Sequence, residues 1–420
     1  MDKILIRGGN RLTGEVSITG AKNAALGILP ATLLCGETCL IENLPDIQDI
    51  RNYVIMLRKL GADVTVDAEG NTRIDTSHVT PKHISEVEEE STKMRASYYL
   101  LGTLLSKFRD VRLPLPGGCA IGARPIDQHI KGFEALGASV ELKNGYIHVY
   151  ADQLVGASIY LDVVSVGATI NIMLASVMAE GTTVIENAAK EPHVVDIANF
   201  LNLMGANIKG AGTDVIKIVG VDRLNGCTYS VIPDQITAGT YMIAAAATQG
   251  DVVIKNVIPK HMEPITAKLI EMGNEVTEYD DSIRVVGKRP LQAISIKTLP
   301  YPGFPTDLQQ PMGVLMCLSE GVSTITESIF ESRFKYVNEL IRMGADVMVN
   351  GNIAVFKGGN GLSGARINAT DLRAGAAMII AGLAAEGMTE VYELKHIDRG
   401  YDNIVGRLQK LGADIVRTED

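Results

Sequence analysis

Hydrophobic and polar positions along the chain follow a repeating pattern. The motif Leu/Met-Gly-Ala, followed by a polar and then a β-branched residue, recurs six times, at Gly61, Gly137, Gly205, Gly273, Gly344 and Gly412. The spacings from glycine to glycine are 76, 68, 68, 71 and 68 residues. The fourth copy is imperfect because Asn274 replaces the alanine. A fixed period of this length indicates repeated structural units, so we predict six repeats that fill the chain.

Each repeat is predicted to contain the same elements. An amphipathic helix ends at the motif glycine, which acts as its C-cap, and a strand follows. A second, Ala-rich helix lacks a polar face and should therefore be buried. Its best examples are residues 165–179, 237–248 and 371–385. A short strand led by glycine closes the repeat, as in residues 36–43, 181–187 and 250–256.

Six repeats with inner and outer helices predict an α/β chain of two domains with three repeats each. The first domain is expected to span residues 20–231, and the second residues 1–19 together with 232–420. The strand predicted at residues 3–7 has no partner in its own half, so we expect it to complete the second domain. An open solenoid is the alternative, although its repeats are usually shorter. The cleft between the domains is the default ligand site.

Composition and charge restrict the function. The chain has 46% hydrophobic residues and a net charge of −10, which argues against a mainly nucleic-acid-binding or membrane-surface role. The five cysteines are odd in number and mostly scattered, which favours reduced thiols in a cytoplasmic protein. The first residues lack a signal-peptide pattern, and no apolar run reaches transmembrane length.

Cofactor motifs are missing from the sequence. The seven histidines form no metal-binding pattern, and neither a P-loop nor a GxGxxG motif after a strand is present. The sequence therefore predicts an enzyme or binding protein without ATP, NAD or a catalytic metal, and without any other cofactor.

One cysteine stands in an unusual loop. Cys119 follows two glycines and precedes Arg124 and Pro125, which read as a helix start. Glycines let a backbone approach a ligand closely, and a thiol near an arginine and a helix N-terminus has a lowered pKa and is reactive. The alternative is a buried structural cysteine in a tight turn. The loop residues alone leave both interpretations open.

Polar residues also interrupt the repeats where an apolar helix begins. Lys22 would place an ammonium group at a buried helix N-terminus, although it could instead extend to solvent. Arg95 takes the corresponding place in the second repeat, and Ser165 opens the third inner helix either as a phosphate site or as an ordinary N-cap. Asp307 precedes an apolar helix in the fifth repeat, where residue type alone favours a plain N-cap.

Basic residues occupy equivalent loop or helix-start positions in several repeats. They are Lys22, Arg124, Arg333, Arg373 and Arg399. Each arginine alone is more often a surface ion-pair residue. Together they predict a cluster that faces one cleft and binds a multiply charged anion.

Four segments carry a resemblance to a known family. They are GAKNAA (residues 20–25), PGGCAIGARP (116–125), VSVGAT (164–169) and YPGFPTD (301–307). These segments resemble the UDP-N-acetylglucosamine 1-carboxyvinyltransferase family, and the likeness extends over essentially the whole chain. The resemblance implies two inverse α/β barrel domains, each of three βαβαββ-like repeats, with the active site between them. It also implies transfer of the enolpyruvyl group of phosphoenolpyruvate to the 3-hydroxyl of UDP-N-acetylglucosamine.

The resemblance also implies roles for individual residues. Cys119 would be the general acid and Asp307 the base, with Lys22 and Arg399 as further catalytic residues. The phosphoenolpyruvate-binding residues would be Lys22, Asn23, Arg124, Arg373 and Arg399. The UDP-sugar-binding residues would be Arg95, Arg124, Pro125, Ile126, Asp127, Gln128, Ser165, Val166, Asp307 and Ile329.

Two positions depart from the family pattern, because Gln48 and Val163 stand where some members carry lysine. Contacts to the diphosphate or to the linker region at these positions are therefore in doubt.

Other activities are argued against by the same residues. Enzymes of the related 5-enolpyruvylshikimate-3-phosphate synthase type lack a cysteine in the loop of residues 116–125, so Cys119 argues against that activity. A non-catalytic repeat scaffold or sugar-nucleotide sensor would need neither Cys119 nor Asp307. The expected partners are the two small-molecule substrates, with no nucleic acid, membrane or obligate protein partner.

Overall fold

The computed structural model describes residues 2–115 and 125–418. Among these residues no helix is both long enough and apolar enough to cross a membrane. The described helices, in chain order, are α1 (Lys22–Ala31), α2 (Gln48–Lys59), α3 (Glu88–Lys93), α4 (Tyr99–Phe108), α5 (Asp127–Ala135), α6 (Val166–Ser176), α7 (Pro192–Leu203), α8 (Gln235–Ala247), α9 (Glu263–Glu271), α10 (Gln309–Cys317), α11 (Val337–Arg342), α12 (Leu372–Ala384) and α13 (Ile404–Lys410).

The described chain divides into two compact units. The first unit comprises residues 20–115 and 125–232, and the second comprises residues 2–19 and 233–418. Each unit has its own hydrophobic core, built from the residues of its own repeats.

The first unit contains three sheets. In spatial order their strands are Thr228–Ser230, Thr38–Glu42, Thr72–Asp75 and Asp63–Val66 in one sheet; Asn207–Lys209, Val215–Val219, Thr182–Glu186 and Ser158–Tyr160 in another; and Asp110–Pro114, Tyr146–Tyr150 and Ser139–Lys143 in the third. Each four-stranded sheet joins one parallel edge pair to antiparallel pairs.

The second unit has three four-stranded sheets of the same kind and one short pair. Their strands, in spatial order, are Arg366–Asn368, Met388–Tyr392, Lys3–Arg7 and Asp414–Thr418; Glu275–Glu278, Ser282–Val286, Asp251–Lys255 and Thr13–Ser17; Ser295–Lys297, Val322–Thr326, Ile353–Lys357 and Asp346–Asn350; and Leu291–Gln292 with Ser319–Glu320. The first strand of the chain, Lys3–Arg7, pairs antiparallel with two strands from the last repeat. The strand at residues 3–7 therefore completes a sheet of the second unit, as the sequence predicted.

The six motif glycines end helices as predicted. Their φ angles lie between +92° and +110°, the left-handed region that glycine adopts without strain. After α2, the amide of Gly61 donates to the carbonyl of Arg58 and that of Ala62 donates to Leu57, both at 3.0 Å. These two hydrogen bonds satisfy the last carbonyls of the helix. Equivalent bonds close the helix of every other repeat, including the imperfect fourth copy, where Asn274 donates to Leu269.

The apolar helices are buried, as their lack of a polar face predicted. In the second unit α8, α10 and α12 pack against one another, and in the first unit α4 packs against both α1 and α6. Residues 373–383 of α12 are all buried. Sheets and amphipathic helices surround these inner helices within each unit. The predicted fold class, inverse α/β barrels of three repeats with helices inside and strands outside, is therefore confirmed.

Candidate active site

Asp307 is held by two buried arginines in the second unit. It lies in the 3-10 turn Thr306–Leu308 that leads into α10. Its Oδ1 accepts a hydrogen bond from Nη2 of Arg333 at 2.8 Å, and its Oδ2 accepts from Nε and Nη2 of Arg373 at 3.1 and 3.0 Å. The two arginine side chains are 3% and 4% exposed, whereas the aspartate is 25% exposed. The carboxylate is therefore fixed from the protein side while part of its surface remains accessible.

This arrangement rules out the simpler interpretations of these three residues. The N-cap residues of the 3-10 turn and of α10 are Pro305 and Leu308, so Asp307 does not occupy an N-cap position and the plain N-cap interpretation is wrong. Arg333 and Arg373 are not surface ion-pair residues. Burial disfavours the Arg373 cation, but the charge of Asp307, together with Tyr401 and Asp234, raises its pKa above the ordinary value. Two fixed guanidinium groups stabilise the ionised carboxylate.

Glu327 organises the loop around Asp307, and the sequence did not single it out. Its side chain is 3% exposed. Its Oε1 accepts from the Thr298 hydroxyl at 2.8 Å and from the amides of Ile329 and Phe330 at 2.8 and 3.1 Å. Its Oε2 accepts from the Thr306 hydroxyl at 2.8 Å, next to Asp307. One carboxylate thus joins the segment of Ile329 and Arg333 to the turn of Asp307.

The start of α12 completes the described cluster. Asp371 caps this helix by accepting from the amides of Arg373 and Ala374 at 2.8 and 3.0 Å, and it also accepts from Nε2 of Gln310 at 2.9 Å. The Arg373 guanidinium lies 5.4 Å from the ring centre of Tyr401. These contacts, with the Asp307 pair, leave Arg373 little rotational freedom.

Arg399 is half-buried and precedes α13. Burial first, and then the charges of Lys395 and Arg399, lower the pKa of His396. The structure therefore places Arg399 beside His396.

In the first unit, Lys22 is a buried cation. It is the first residue of α1, as predicted, and its Nζ lies 2.8 Å from Oδ2 of Asp49 in the first turn of α2. The two side chains are 9% and 3% exposed, so Lys22 does not extend to solvent. Asn23 follows it in the first turn of α1. The buried carboxylate of Asp49 fixes the ammonium group at the helix N-terminus.

The proposed sugar-nucleotide residues of the first unit lie at element starts. Arg95 begins the 3-10 turn Arg95–Tyr98, one turn before α4, and its guanidinium lies 5.5 Å from the Tyr98 ring centre. The Ser165 hydroxyl caps α6 by accepting from the amide of Ala168 at 3.2 Å, and Val166 is the first residue of that helix. The N-cap interpretation of Ser165 is confirmed, and its role in binding phosphate stays a prediction.

A buried amide in the middle of α6 holds the start of α4. Nδ2 of Asn171 donates to the carbonyl of Tyr98 at 2.8 Å, and its Oδ1 accepts from the amide of Gly102 at 2.7 Å. Asn171 thereby bridges the carbonyl and amide of residues i and i+4 where the 3-10 turn meets α4. Its Nδ2 also lies 3.0 Å from Nδ1 of His129 on α5. The middle of α6 is thus joined to α4 and α5 near their N-termini.

Residues 125–128 lead into α5. Pro125 and Ile126 precede the helix, and Asp127 is its first residue. Gln128 is buried and does not project freely: its Nε2 donates to Oδ2 of Asp162 at 3.1 Å, and its Oε1 accepts from the amide of Asp162 at 2.9 Å. Any contact of Gln128 with a ligand would compete with these bonds.

The structure brings some predicted residues together and leaves others untested. Arg333 and Arg373 meet at Asp307, whereas the proposed common cluster with Lys22, Arg124 and Arg399 stays a prediction. Cys119 and Arg124 lie outside the described residues. Gln48 and Val163 are exposed, and Ile329 is 38% exposed. Within residues 2–115 and 125–418, no group of three or more His, Cys, Asp or Glu side chains could hold a metal ion.

Comparison with known proteins assigns the family. The family model described as EPSP synthase (3-phosphoshikimate 1-carboxyvinyltransferase) matches residues 6–408. UDP-N-acetylglucosamine 1-carboxyvinyltransferase 3 of Caldanaerobacter subterraneus is 59% identical over 420 residues and covers 100% of both chains. The enzyme of this name from Clostridium botulinum is 58% identical over 418 residues, covering 99% of this chain and 100% of its own.

The chain belongs to the UDP-N-acetylglucosamine 1-carboxyvinyltransferase family.

Solved structures agree with this family assignment. The enolpyruvyl transferase NikO from Streptomyces tendae has a TM-score of 0.88 at 26% identity, covering 99% of both chains. EPSP synthase from Acinetobacter baumannii has a TM-score of 0.78 at 19% identity, covering 100% of both chains, and supports the fold alone.

Proposed function

We propose that the protein transfers the enolpyruvyl group of phosphoenolpyruvate to the 3-hydroxyl of UDP-N-acetylglucosamine and releases phosphate. The observation that carries this proposal is the full-length identity of 58–59% to relatives that bear the name of this activity. The buried arginine pair around Asp307 supports it independently, because it supplies a fixed carboxylate next to cationic groups.

Asp307 is proposed to take the proton from the sugar hydroxyl. A base must be oriented before the reaction, and the two guanidinium groups hold both carboxylate oxygens in place. One quarter of the side chain is exposed, which leaves room for a hydroxyl to approach. Arg373 would both position Asp307 and contact phosphoenolpyruvate.

Phosphoenolpyruvate is proposed to bind to a set of cationic groups. Lys22 of the first unit and Arg373 and Arg399 of the second would balance its phosphate and carboxylate charges, with Arg124 and Asn23 assisting. The ion pair of Lys22 with Asp49 supports this role, because it fixes the direction of the ammonium group.

Protonation of the methylene carbon is proposed for Cys119. The thiol would act as general acid while Asp307 acts as base, which suits a transition state that develops positive charge at the central carbon. The UDP-sugar would contact the described residues Arg95, Ser165, Val166 and Ile329, together with Asp307 and residues 124–128. No cofactor is part of the proposed reaction.

The proposed reaction belongs to peptidoglycan synthesis, where it would be the first committed step. The protein would then act in the cytoplasm and contribute to cell-wall growth, cell shape and cell division. Fosfomycin, a small epoxide that mimics phosphoenolpyruvate, would be an inhibitor that reacts with Cys119.

An acceptor comparison tests the proposal. Phosphate release from phosphoenolpyruvate is measured with UDP-N-acetylglucosamine, with shikimate 3-phosphate, and without acceptor. We expect release only with the sugar nucleotide, and mass spectrometry should find the enolpyruvyl ether of that nucleotide. Release with shikimate 3-phosphate alone would assign the other activity of this fold, and no release with either acceptor would favour a non-catalytic binding protein.

A variant pair sharpens this comparison. Asp307→Asn should lower kcat by about 100- to 10,000-fold, the usual contribution of a general base. Asp346→Asn is the matched control, because Asp346 is a 49% exposed strand residue that pairs only loosely with Lys357 at 3.7 Å. An Asp307→Asn enzyme with the kcat of the control would remove Asp307 from the mechanism.

A further inference from the structure

Three cysteines meet in the first unit, although one of them is far away in the sequence. Cys35 follows the 3-10 turn Thr32–Leu34, Cys39 lies in the strand Thr38–Glu42, and Cys227 immediately precedes the strand Thr228–Ser230. All three are free thiols. The sulfurs of Cys35 and Cys39 are 3.8 Å apart, and the Cys39 thiol also interacts with that of Cys227.

The strand register places Cys39 beside Cys227. Their strands pair in parallel with Thr228 opposite Leu40, so the residues before them, Cys227 and Cys39, are neighbours on the same face. The amide of Leu40 donates to the carbonyl of Cys227 at 2.9 Å, which extends the pairing to this position. Neighbouring strands lie about 4.8 Å apart, within the range of about 4.4 to 6.8 Å between Cα atoms that a disulfide spans.

The three thiols differ in how readily they ionise and how accessible they are. Hydrogen bonding from Cys39 lowers the pKa of Cys227, whereas its bond to Cys227 raises the pKa of Cys39 to about 11. The pKa of Cys35 is raised by its bond to Cys39 and by burial. Cys227 is half-buried, whereas Cys39 is fully buried. Cys227 is therefore more accessible than Cys39 and ionises more readily, and Cys39 is its neighbour on the adjacent strand.

We propose that Cys39 and Cys227 form a disulfide when the protein meets a hydroperoxide, so that this cluster is a redox-modification site separate from Cys119. The proposal does not depend on the proposed enzymatic function. No described residue of the candidate active site belongs to the cluster.

The chemistry balances with hydrogen peroxide as oxidant. The Cys227 thiolate attacks one peroxide oxygen, an S–O bond forms, the O–O bond breaks, and the departing hydroxide takes up a proton to give water. The Cys39 sulfur then attacks the sulfenic acid, an S–S bond forms, the S–O bond breaks, and the hydroxyl leaves as water with the Cys39 proton. Two thiols are oxidised to one disulfide, and one peroxide is reduced to two waters.

Cys35 gives the cluster a third, exchangeable thiol. It lies 3.8 Å from Cys39 and can attack the Cys39 sulfur of the disulfide, which would release Cys227. Its raised pKa keeps this exchange slow at neutral pH. The first product should therefore be the bond between Cys39 and Cys227.

Peptide mapping tests the proposal on the full chain. The native protein is treated with equimolar hydrogen peroxide at neutral pH, denatured in an alkylating agent, and digested without reduction. Trypsin with a glutamate-specific protease cleaves after Glu37 and so separates Cys35 from Cys39. We expect a peptide pair joined through Cys39 and Cys227 that dithiothreitol separates. A cluster that stays reduced, or a Cys227 oxidised without a bridge, would overturn the proposal.

Variants identify the attacking and resolving thiols. Cys39→Ser should leave a sulfenic acid on Cys227 that dimedone traps, and Cys35→Ser should still form the bridge. Cys317→Ser, which changes a buried cysteine of the second unit, is the matched control and should also form it. Loss of the bridge in Cys35→Ser would contradict the assignment. If a variant fails to fold, native alkylation of the unchanged chain decides, because Cys227 must react before Cys35 and Cys39.

Discussion

Replacing Glu327 by glutamine tests whether the loop around Asp307 is set by one buried carboxylate. Glu327 accepts five hydrogen bonds, three on Oε1 and two on Oε2, the weakest of them from Gln309 at 3.4 Å. Glutamine keeps the shape of the side chain but offers one acceptor oxygen. If that oxygen keeps the three-donor side, the new amide faces Thr306 and Gln309. The Thr306 hydroxyl already accepts from Nη1 of Arg333 at 3.2 Å.

The size of the effect follows from these bonds. Hydrogen bonds to a charged group contribute about 1.5 to 3 kcal/mol each. Losing one such bond and weakening a second should lower the free energy of unfolding by about 2 to 4 kcal/mol. The turn that carries Asp307 would also lose its connection to the segment of Ile329 and Arg333. A displacement of about 1 Å can cost about 100-fold in rate, so we expect kcat to fall by about 10- to 100-fold.

Two measurements separate stability from function. Urea unfolding is followed by circular dichroism, because the chain has no tryptophan, and kcat is measured by phosphate release with UDP-N-acetylglucosamine. Glu331→Gln makes the same change at an exposed residue of the same loop and should stay within about 0.5 kcal/mol of the unchanged protein. An unaltered kcat in Glu327→Gln would refute its positioning role, even if stability falls. Unaltered stability would refute the hydrogen-bond estimate.

Three further predictions rest on other sites. Asp49→Ala should lower the free energy of unfolding by about 3 to 5 kcal/mol, because it leaves the Lys22 ammonium buried without Asp49. Adding Lys22→Met to this variant should restore the stability measured by urea unfolding, but it should not restore turnover. Burial raises the pKa of Asp196 from 3.8 to about 6. The stability of the unchanged protein relative to Asp196→Asn should therefore be greatest below pH 4 and should fall by about 3 kcal/mol as the pH rises through 6. A stability difference in urea titrations that does not change with pH would contradict this prediction. Fosfomycin should alkylate Cys119 and spare Cys317, whose pKa burial raises to about 12; labelling of Cys317 by peptide mass mapping would count against it.

The repeats could be predicted because each one ends a helix in the same way. A glycine at a left-handed position and the amide after it satisfy the last carbonyls, and this local requirement leaves a readable mark at Gly61 and its five equivalents. The inner helices were predictable for a second local reason: a helix without a polar face must be buried. Both signals lie within a few residues of the element that they describe.

The contacts of the site were not predictable, because they join distant parts of the chain. Asp307 lies 26 residues from Arg333 and 66 from Arg373. Sequence indicated that each was out of place in its repeat, but not that they meet. Glu327 left no signal, because a glutamate at the end of a strand is usually solvated. Cys227 likewise shows no relation to Cys39 until the strands Thr38–Glu42 and Thr228–Ser230 pair.

Two inner helices carry opposite charges at their starts, α10 in the second unit and α1 in the first. The N-terminus of a helix carries partial positive charge, which favours an anion and disfavours a cation. Asp307, just before α10, therefore suits its place and is further stabilised by Arg333 and Arg373. Lys22, the first residue of α1, has the unfavourable sign and is retained in the interior beside Asp49. A cation placed against the helix dipole weakens the fold unless it serves another purpose. Binding of an anion such as phosphoenolpyruvate would supply that purpose, since the ammonium group and the amides at the start of α1 attract the same charge.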